Sequence, residues 1–294
     1  MKDEIHYIDR KSGETLTEDV PAGNIMRWLY GRPLGKATLF LFMKRKFVSA
    51  IVGRYMSSKR SQKRIVPFIE NYKIDLNDYQ VTDANQFTSF NDFFYRKINP
   101  EKRPLGAGVV SPADGKTLGF QHLKDVPTFF VKGQEFDITR FVGDSEIAAK
   151  YQDGAMVIIR LAPTDYHRYH FPASGKATES RLIKGHYYSV SPIALQKSLE
   201  IFCENKRTFS ELSTEKHGDI AIIEVGATMV GSIFQTYNSN QPIKKGAEKG
   251  YFAFGGSTVV VLFEKGKVRL SADLLENTRN GFETQVSMGE TIAE

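Results

Sequence analysis

The sequence predicts an α+β fold, with a mostly antiparallel β core that follows an N-terminal helical region. From about residue 105 onward, short apolar runs are separated by Gly, Pro and Asp, a pattern typical of strands joined by turns. No long alternation of strands and helices is present, so we do not expect a doubly wound parallel sheet. We therefore divide the chain into a basic helical region, 1–104, and a β-rich domain, 105–294.

Composition limits the class of protein. The chain has 294 residues, of which 41% are hydrophobic, enough for a sizeable core. Cys203 is the only cysteine, which excludes an intrachain disulfide and a thiolate metal cluster. The acidic start Met1–Ile5 predicts neither a signal peptide nor a transit peptide. No stretch provides the roughly 20 apolar residues that a membrane span requires.

Positive charge is concentrated near the N-terminus. Between Val20 and Ile69 there are eleven Lys and Arg residues and no Asp or Glu, whereas the whole chain has a net charge of +6. Gly31, Pro33 and Gly35 divide residues 24–57 into two predicted helices. The bulky apolar residues of these helices are Ile25, Met26, Trp28, Leu29, Tyr30, Leu39, Phe40, Leu41, Phe42, Met43, Phe47, Val48, Ile51 and Val52.

This combination of cations and apolar bulk predicts helices that lie in a membrane interface, with the cations facing anionic headgroups. Two alternatives remain open, a helical hairpin packed on the protein's own core and a nucleic-acid-binding arm. Phosphate binding alone does not require so much apolar surface, so we favour the membrane and expect no nucleic-acid partner.

Local patterns predict several elements of the core. Ser89 is a predicted helix N-cap, with Asp92 three residues later in a variant of the capping box. Ser191-Pro192 predicts the start of a helix that runs to about Asn205. The buried face of the first helix is predicted to consist of Phe90, Phe93 and Phe94. The predicted strands are Met156–Ile159, Ile220–Ile223, Met229–Ile233 and Thr258–Phe263.

The segment Phe254-Gly255-Gly256-Ser257-Thr258 directly precedes the apolar run Val259–Phe263. Glycine reaches backbone conformations closed to other residues and leaves its carbonyl sterically open. The hydroxyl of Ser257 is therefore a candidate nucleophile toward the carbonyl of Gly256. The simpler interpretation of this segment is a turn that leads into a strand.

Two further clusters carry polar side chains. Asp114 lies in the turn signal Ser111–Lys116, and His167 and His170 lie in the segment Leu161–Pro172. Asp114, His170 and Ser257 supply the residue types of an orienting acid, a base and a nucleophile. Asp114 could also be a simple turn residue, and the histidines a structural pair. Together with Asp165 the histidines could bind a metal, but their spacing is weak evidence and we expect none.

In order and spacing, these clusters resemble the phosphatidylserine decarboxylases along most of residues 88–265. The segments that carry the resemblance are Phe90–Arg96 with Pro100 and Arg103-Pro104, Ser111–Gly115, Asp165–Pro172 and Phe254–Thr258. The chain departs from the family at Gly255, where part of the family has leucine, and at Lys206, where an acidic residue is common.

The resemblance implies a proenzyme that cuts itself between Gly256 and Ser257, leaving fragments 1–256 and 257–294 associated. Residue 257 would become a covalent pyruvoyl cofactor, which forms a Schiff base with phosphatidylserine and accepts electrons as carbon dioxide leaves. Phosphatidylethanolamine would be the product. By the same resemblance His170 deprotonates Ser257, Asp114 orients His170, and His167 is the candidate acid that protonates the product carbon.

Such an enzyme would be peripheral on the cytoplasmic face of the cell membrane, with phosphatidylserine and the anionic membrane surface as partners. A homodimer is compatible with the sequence. One rival is a membrane-associated serine hydrolase that uses Asp114, His170 and Ser257 without self-cleavage, although Gly255–Val259 lacks the final glycine of a nucleophile elbow. The other rival is a non-enzymatic lipid-binding module recruited by the basic region.

Overall fold

The computed structural model describes residues 5–18, 32, 46–129, 136–190, 200–227, 233–255 and 257–294. The helices in these ranges are α1 (Lys46–Met56), α2 (Ile65–Tyr72), α3 (Phe90–Phe94), α4 (Val126–Phe129), α5 (Ile138–Val142), α6 (Ser145–Tyr151), α7 (Ile201–Glu204) and α8 (Ala272–Arg279). The strands are β1 (His6–Asp9), β2 (Thr15–Thr17), β3 (Val109–Val110), β4 (Gly115–Phe120), β5 (Ala155–Leu161), β6 (Arg168–His170), β7 (Gly175–Ala177), β8 (Arg181–Ile183), β9 (Arg207–Ser213), β10 (Asp219–Gly226), β11 (Ile233–Gln235), β12 (Pro242–Ile243), β13 (Glu248–Phe252), β14 (Ser257–Phe263), β15 (Glu283–Val286) and β16 (Thr291–Ala293).

One large sheet organises the molecule. Among the described strands, eleven form this sheet in the order β12-β7-β9-β10-β14-β5-β4-β15-β1-β2, with β8 also paired to β9. The ladders are antiparallel except for the β1–β15 pair, which is parallel. The predicted α+β class with a mostly antiparallel core is therefore confirmed.

Strand β14 lies at the centre of this sheet, between β10 and β5. All seven of its residues are buried, because hydrophobic clusters cover both faces of the sheet. A strand buried on both faces is expected to be almost continuously apolar, as Val259–Phe263 is. Any group at the first residue of β14 is therefore held in a rigid and dry part of the protein.

Three of the four predicted strands are confirmed within the described residues. Met156–Ile159 lies in β5 and Ile220–Ile223 lies in β10, while β14 begins at Ser257, one residue before the predicted start. The predicted strand Met229–Ile233 falls outside the described residues except for Ile233, which begins β11.

The predicted helix from Ser191 also begins outside the described residues. Its described final part is α7, which ends at Glu204, one residue before the predicted end.

A smaller sheet of β11, β13 and β6 lies beside the central one. Its β13–β6 ladder places Glu248 opposite His170, and the amide of Phe252 bonds to the carbonyl of His167 at 3.0 Å. This sheet therefore brings the histidine segment next to the residues that lead into β14.

An N-terminal aromatic layer, which includes helix α3, packs over the histidine segment and the residues that lead into β14. Phe90, Phe93 and Phe94 of α3 are buried as predicted, in a cluster that also contains Tyr79 and Tyr166. The N-cap is confirmed, since Ser89 Oγ accepts a hydrogen bond from the amide of Asp92 at 3.2 Å. The carboxylate of Asp92 bonds instead to Thr88, through its amide at 2.9 Å and its hydroxyl at 3.0 Å.

The N-terminal region is not wholly helical, which corrects the prediction for residues 1–104. Strand β1 pairs in parallel with β15, and β2 extends the sheet at its edge. Arg10, just after β1, fixes this edge through a hydrogen bond of 2.7 Å to Asp273. The boundary at residue 104 itself stays a prediction.

The two predicted helices of residues 24–57 lie mostly outside the described residues, and only α1 falls within them. Among the helices that the structure describes, none is long and apolar enough to cross a membrane.

Candidate active site

Ser257 occupies the first position of β14, where it pairs with Gly226 on one side and Leu161 on the other. The residue is fully buried, and its Oγ has no hydrogen-bond partner among the described residues. Most buried hydroxyls in proteins are hydrogen-bonded, so an unpaired one requires an explanation. A serine hydroxyl held in this way is available as a nucleophile.

The backbone before Ser257 is in a conformation suited to glycine. Gly255 has a φ of 137°, in the region that side chains disfavour. A leucine at this position would be strained in this backbone by about 1–3 kcal/mol. The position of Gly256 lies outside the described residues.

His167 presents a free basic nitrogen inside the protein. Its Nδ1 lies 2.9 Å from the carbonyl oxygen of Asp165, which can only accept, so Nδ1 carries the proton and Nε2 has a lone pair. Nε2 is buried and has no hydrogen-bond partner within the described structure. The ring packs on Phe94, with 3.8 Å between ring centroids.

Burial is the main cause that lowers the pKa of His167 to about 3; the backbones of Asp165 and Gly255 oppose this shift, and the positive charge of Arg96 adds to it. The ring is therefore neutral at pH 7. Since the backbone of Gly255 acts on this ring, His167 lies beside the segment that leads to Ser257.

His170 is also neutral and has two hydrogen-bond partners. Its Nδ1 donates to the carbonyl of Gly246 at 3.0 Å, and its Nε2 lies 3.1 Å from the hydroxyl of Tyr166. Because the carbonyl can only accept, Nε2 is the unprotonated nitrogen and accepts a hydrogen bond from the hydroxyl of Tyr166. Burial lowers the pKa of His170, while the charges of Glu248 and Asp114 oppose this shift.

Asp114 is bound by Arg103 rather than by His170. Its carboxylate accepts hydrogen bonds of 3.0 and 2.6 Å from Arg103 Nε and Nη2, and a third of 2.7 Å from the amide of Met288. We expected Asp114 to orient His170, but the group that binds Nδ1 of His170 is the backbone carbonyl of Gly246. Within the described residues Asp114 therefore affects His170 through its charge, without a hydrogen bond.

A cavity of about 460 Å³ gives access to this region. Its wall includes His170 and Tyr166 together with Arg103, Met288 and Lys97. The cavity lies where the N-terminal aromatic layer meets the smaller sheet. A ligand that enters the cavity therefore reaches the His170–Tyr166 pair.

The predicted residues therefore form two groups: His167 lies beside Gly255, two residues before Ser257, and Asp114 lies near enough to His170 for its charge to act on the ring. His167 Nε2 and Ser257 Oγ are both unpaired, whereas His170 and Asp114 are each fully bound by other groups. No sequence pattern indicates a role for Arg103 or Tyr166, although both lie inside segments that carry the family resemblance.

The metal alternative has no geometric support within the described residues, where no group of three His, Cys, Asp or Glu side chains is placed to hold an ion. The carboxylate of Asp165 has partners other than the histidines. Its carboxylate accepts from the amide of Ala162 at 2.8 Å and lies 3.5 Å from Lys116 Nζ.

Comparison with known proteins decides the family. The family model for phosphatidylserine decarboxylase matches residues 90–294, which include every site residue described above. The chain belongs to the phosphatidylserine decarboxylase family. The resemblance inferred from the motifs is thereby confirmed, and the protein is an enzyme of the carboxy-lyase class.

Similar proteins extend this match over nearly the whole chain. The phosphatidylserine decarboxylase proenzyme of Fusobacterium nucleatum is 49% identical over 291 residues, covering 98% of this chain and 97% of the relative. The proenzymes of Clostridium botulinum strain Alaska E43 and Desulfitobacterium hafniense strain DCB-2 are each 43% identical over 291 residues. They cover 98% of this chain, and 98% and 97% of the relatives, respectively.

Proposed function

We propose that this protein is a self-cleaving proenzyme in which Ser257 becomes a pyruvoyl group, and that the mature form decarboxylates phosphatidylserine to phosphatidylethanolamine at a membrane surface. The observation that carries this proposal is the buried, unpaired hydroxyl of Ser257, two residues after Gly255, whose φ is 137°. The family and the word proenzyme in the names of its relatives support the same conclusion.

The cleavage needs only groups of the chain and one water molecule. Ser257 Oγ attacks the carbonyl carbon of Gly256, and the peptide C–N bond breaks, which leaves an ester and a free amine on residue 257. Loss of the Cα proton then expels the Gly256 carboxylate. Water finally replaces the nitrogen, which departs as ammonia and leaves a keto group.

His170 is the proposed base for the first step. Its Nδ1–H remains on Gly246 while the Nε2 lone pair accepts the proton of Ser257. For this transfer Nε2 must exchange its hydrogen bond from Tyr166 for one from Ser257. Asp114 favours the protonated ring through its negative charge.

The surroundings of residue 257 fit a pyruvoyl group. Conversion removes the unpaired hydroxyl and creates a keto group in a dry site where His167 Nε2 has no other partner. The pyruvoyl group supplies an electrophilic carbonyl for the substrate amine and an electron sink for decarboxylation. His167 remains the proposed proton donor to the product carbon, and the negative charge of a bound substrate would raise its pKa toward the range that this role needs.

A decarboxylation assay tests this activity. Vesicles that contain phosphatidylserine labelled in the serine carboxyl group should release labelled carbon dioxide with the wild-type protein and none with Ser257→Ala. Lipid hydrolysis products without carbon dioxide release would favour the serine hydrolase instead, and lipid binding without any product would favour the lipid-binding module.

Membrane attachment is the second part of the proposal, and the described end of the basic region supports it. Ile51 and Val66 are 54% and 43% exposed, and the exposed cations Lys59, Arg60 and Lys63 lie between them in the chain. Each such cation contributes about 1 kcal/mol near an anionic surface.

Vesicle flotation tests this attachment. Replacing Lys59, Arg60 and Lys63 with glutamate should abolish flotation with anionic vesicles. The matched control carries the same charge change at exposed lysines of the β-rich domain, Lys124, Lys176 and Lys216. Equal loss of flotation in both variants would show that net charge, rather than this region, binds the membrane.

A further inference from the structure

The segment that leads to Ser257 is held by a buried asparagine. The backbone amide of Phe254, three residues before Ser257, donates a hydrogen bond of 2.8 Å to Asn91 Oδ1. Asn91 lies on α3 and is only 3% exposed. The side-chain amide of Asn91 is buried and would be costly to leave unpaired, so the contact fixes the local backbone at Phe254.

The other end of the same side chain is also used. Asn91 Nδ2 donates a hydrogen bond of 2.8 Å to the hydroxyl of Ser57, which directly follows α1. A planar amide is suited to this position because it accepts at one end and donates at the other. Asn91 thus connects the N-terminal aromatic layer to the chain just before Ser257.

The ring of Phe254 strengthens this attachment. It packs edge-on against Phe90 and Phe94 of the same helix, with centroid distances of 5.2 Å to each. Helix α3 therefore holds Phe254 through both its backbone and its side chain.

The proposed scissile peptide lies between two fixed points. Ser257 is fixed by β10 and β5, and Phe254 by Asn91, while only two glycines separate them. Glycines add conformational freedom, so without a fixed Phe254 the carbonyl of Gly256 would sample many positions relative to Ser257 Oγ. A misplacement of about 1 Å can slow a reaction about 100-fold.

We infer that Asn91 is a positioning residue for self-cleavage, which holds Phe254 so that the Gly256 carbonyl stays within reach of the Ser257 hydroxyl. This inference rests on the proposed self-cleavage. It assigns the effect to the Oδ1 acceptor, whereas the Nδ2 contact with Ser57 anchors the side chain.

A matched set of variants separates these two contacts. Asn91→Leu keeps the approximate shape and removes both, Asn91→Asp keeps the acceptor for Phe254, and Ser57→Ala removes only the partner of Nδ2. The conversion of full-length chain to fragments is followed over time after cell-free synthesis. Thermal unfolding of each variant is measured in a Ser257→Ala background, where no cleavage interferes.

We expect Asn91→Leu to slow cleavage about 10- to 100-fold. Asn91→Asp should recover most of the wild-type rate, and Ser57→Ala should cleave nearly as fast as the wild type even if its unfolding temperature falls. The inference is overturned if Asn91→Leu cleaves at the wild-type rate, or if folded Asn91→Asp is as slow as Asn91→Leu. Equal slowing of cleavage by Ser57→Ala and Asn91→Leu would show that the effect comes from the stability of the N-terminal aromatic layer. This result would also overturn the inference.

If Asn91→Leu fails to fold, the cleavage rate of Asn91→Asp still tests the inference. The inference requires Asn91→Asp to cleave at close to the wild-type rate. A wild-type chain that never cleaves would instead refute the proposed function, so the two failures are distinguishable.

Discussion

Replacing Asp114 with asparagine separates two ways in which this carboxylate could assist His170. An acid that bonds directly to a catalytic histidine sets its tautomer, and its conversion to asparagine reduces the rate by about 10⁴-fold in the best-known hydrolases. Here the Gly246 carbonyl binds Nδ1 and sets the tautomer, so Asp114 contributes only its charge. A nearby opposite charge shifts a pKa by about 1–3 units, and Arg103 offsets part of this charge. We therefore expect Asp114→Asn to slow self-cleavage by about 10- to 100-fold.

The matched control is Arg103→Met, which removes the other partner and keeps the carboxylate. Breaking a buried ion pair destabilises a protein by about 3–5 kcal/mol. In Asp114→Asn this loss of stability should be smaller, because Arg103 keeps its contact with Asp78 at 3.4 Å. The assay follows fragment formation after cell-free synthesis, with urea unfolding of each variant in a Ser257→Ala background. Slowing of Asp114→Asn by about 10⁴-fold would refute a charge-only role, and equal slowing by Arg103→Met would attribute the effect to lost stability.

Two further predictions concern His167. His167→Ala should still cleave itself but release carbon dioxide at a rate lower by about 10²- to 10⁴-fold, as measured per cleaved molecule, and equal loss of both steps would contradict the division of roles between His167 and His170. Folding should also depend on pH through this ring. The unfolded chain protonates His167 near pH 6.5 while the folded protein keeps it neutral down to about pH 3, so its contribution to stability is intact above pH 6.5 and is lost as the pH falls toward 3. The free energy of unfolding of Ser257→Ala, measured with urea, should therefore fall by up to about 1.4 kcal/mol per pH unit in this range, relative to that of Ser257→Ala with His167→Leu. If the free energies of the two variants change in parallel with pH, a buried neutral ring is contradicted.

Patterns that depend on neighbouring residues were predicted well from the sequence. The apolar run after Ser257 predicts a strand, and the structure contains that strand as β14. The Ser89 N-cap and the buried phenylalanines of α3 follow from helical spacing within a few residues. Segment order and spacing also identified the family, because its motifs are distributed over most of the β-rich domain.

Long-range partners could not be predicted in the same way. Strand β1 pairs with β15 from the opposite end of the chain, and no local pattern specifies such a pairing. The group that binds Nδ1 of His170 is the backbone carbonyl of Gly246, and every residue has such a carbonyl. Arg103 was visible in a motif, but its contact with Asp114 depends on tertiary packing.

The most direct test of the central claim is the intact mass of the purified wild-type protein beside Ser257→Ala. The account predicts two wild-type fragments, 1–256 and 257–294, with the smaller one lighter by one ammonia than its serine form, whereas Ser257→Ala remains one chain. A single full-length mass for the wild type would contradict self-cleavage at Ser257 and would favour the serine hydrolase or the lipid-binding module.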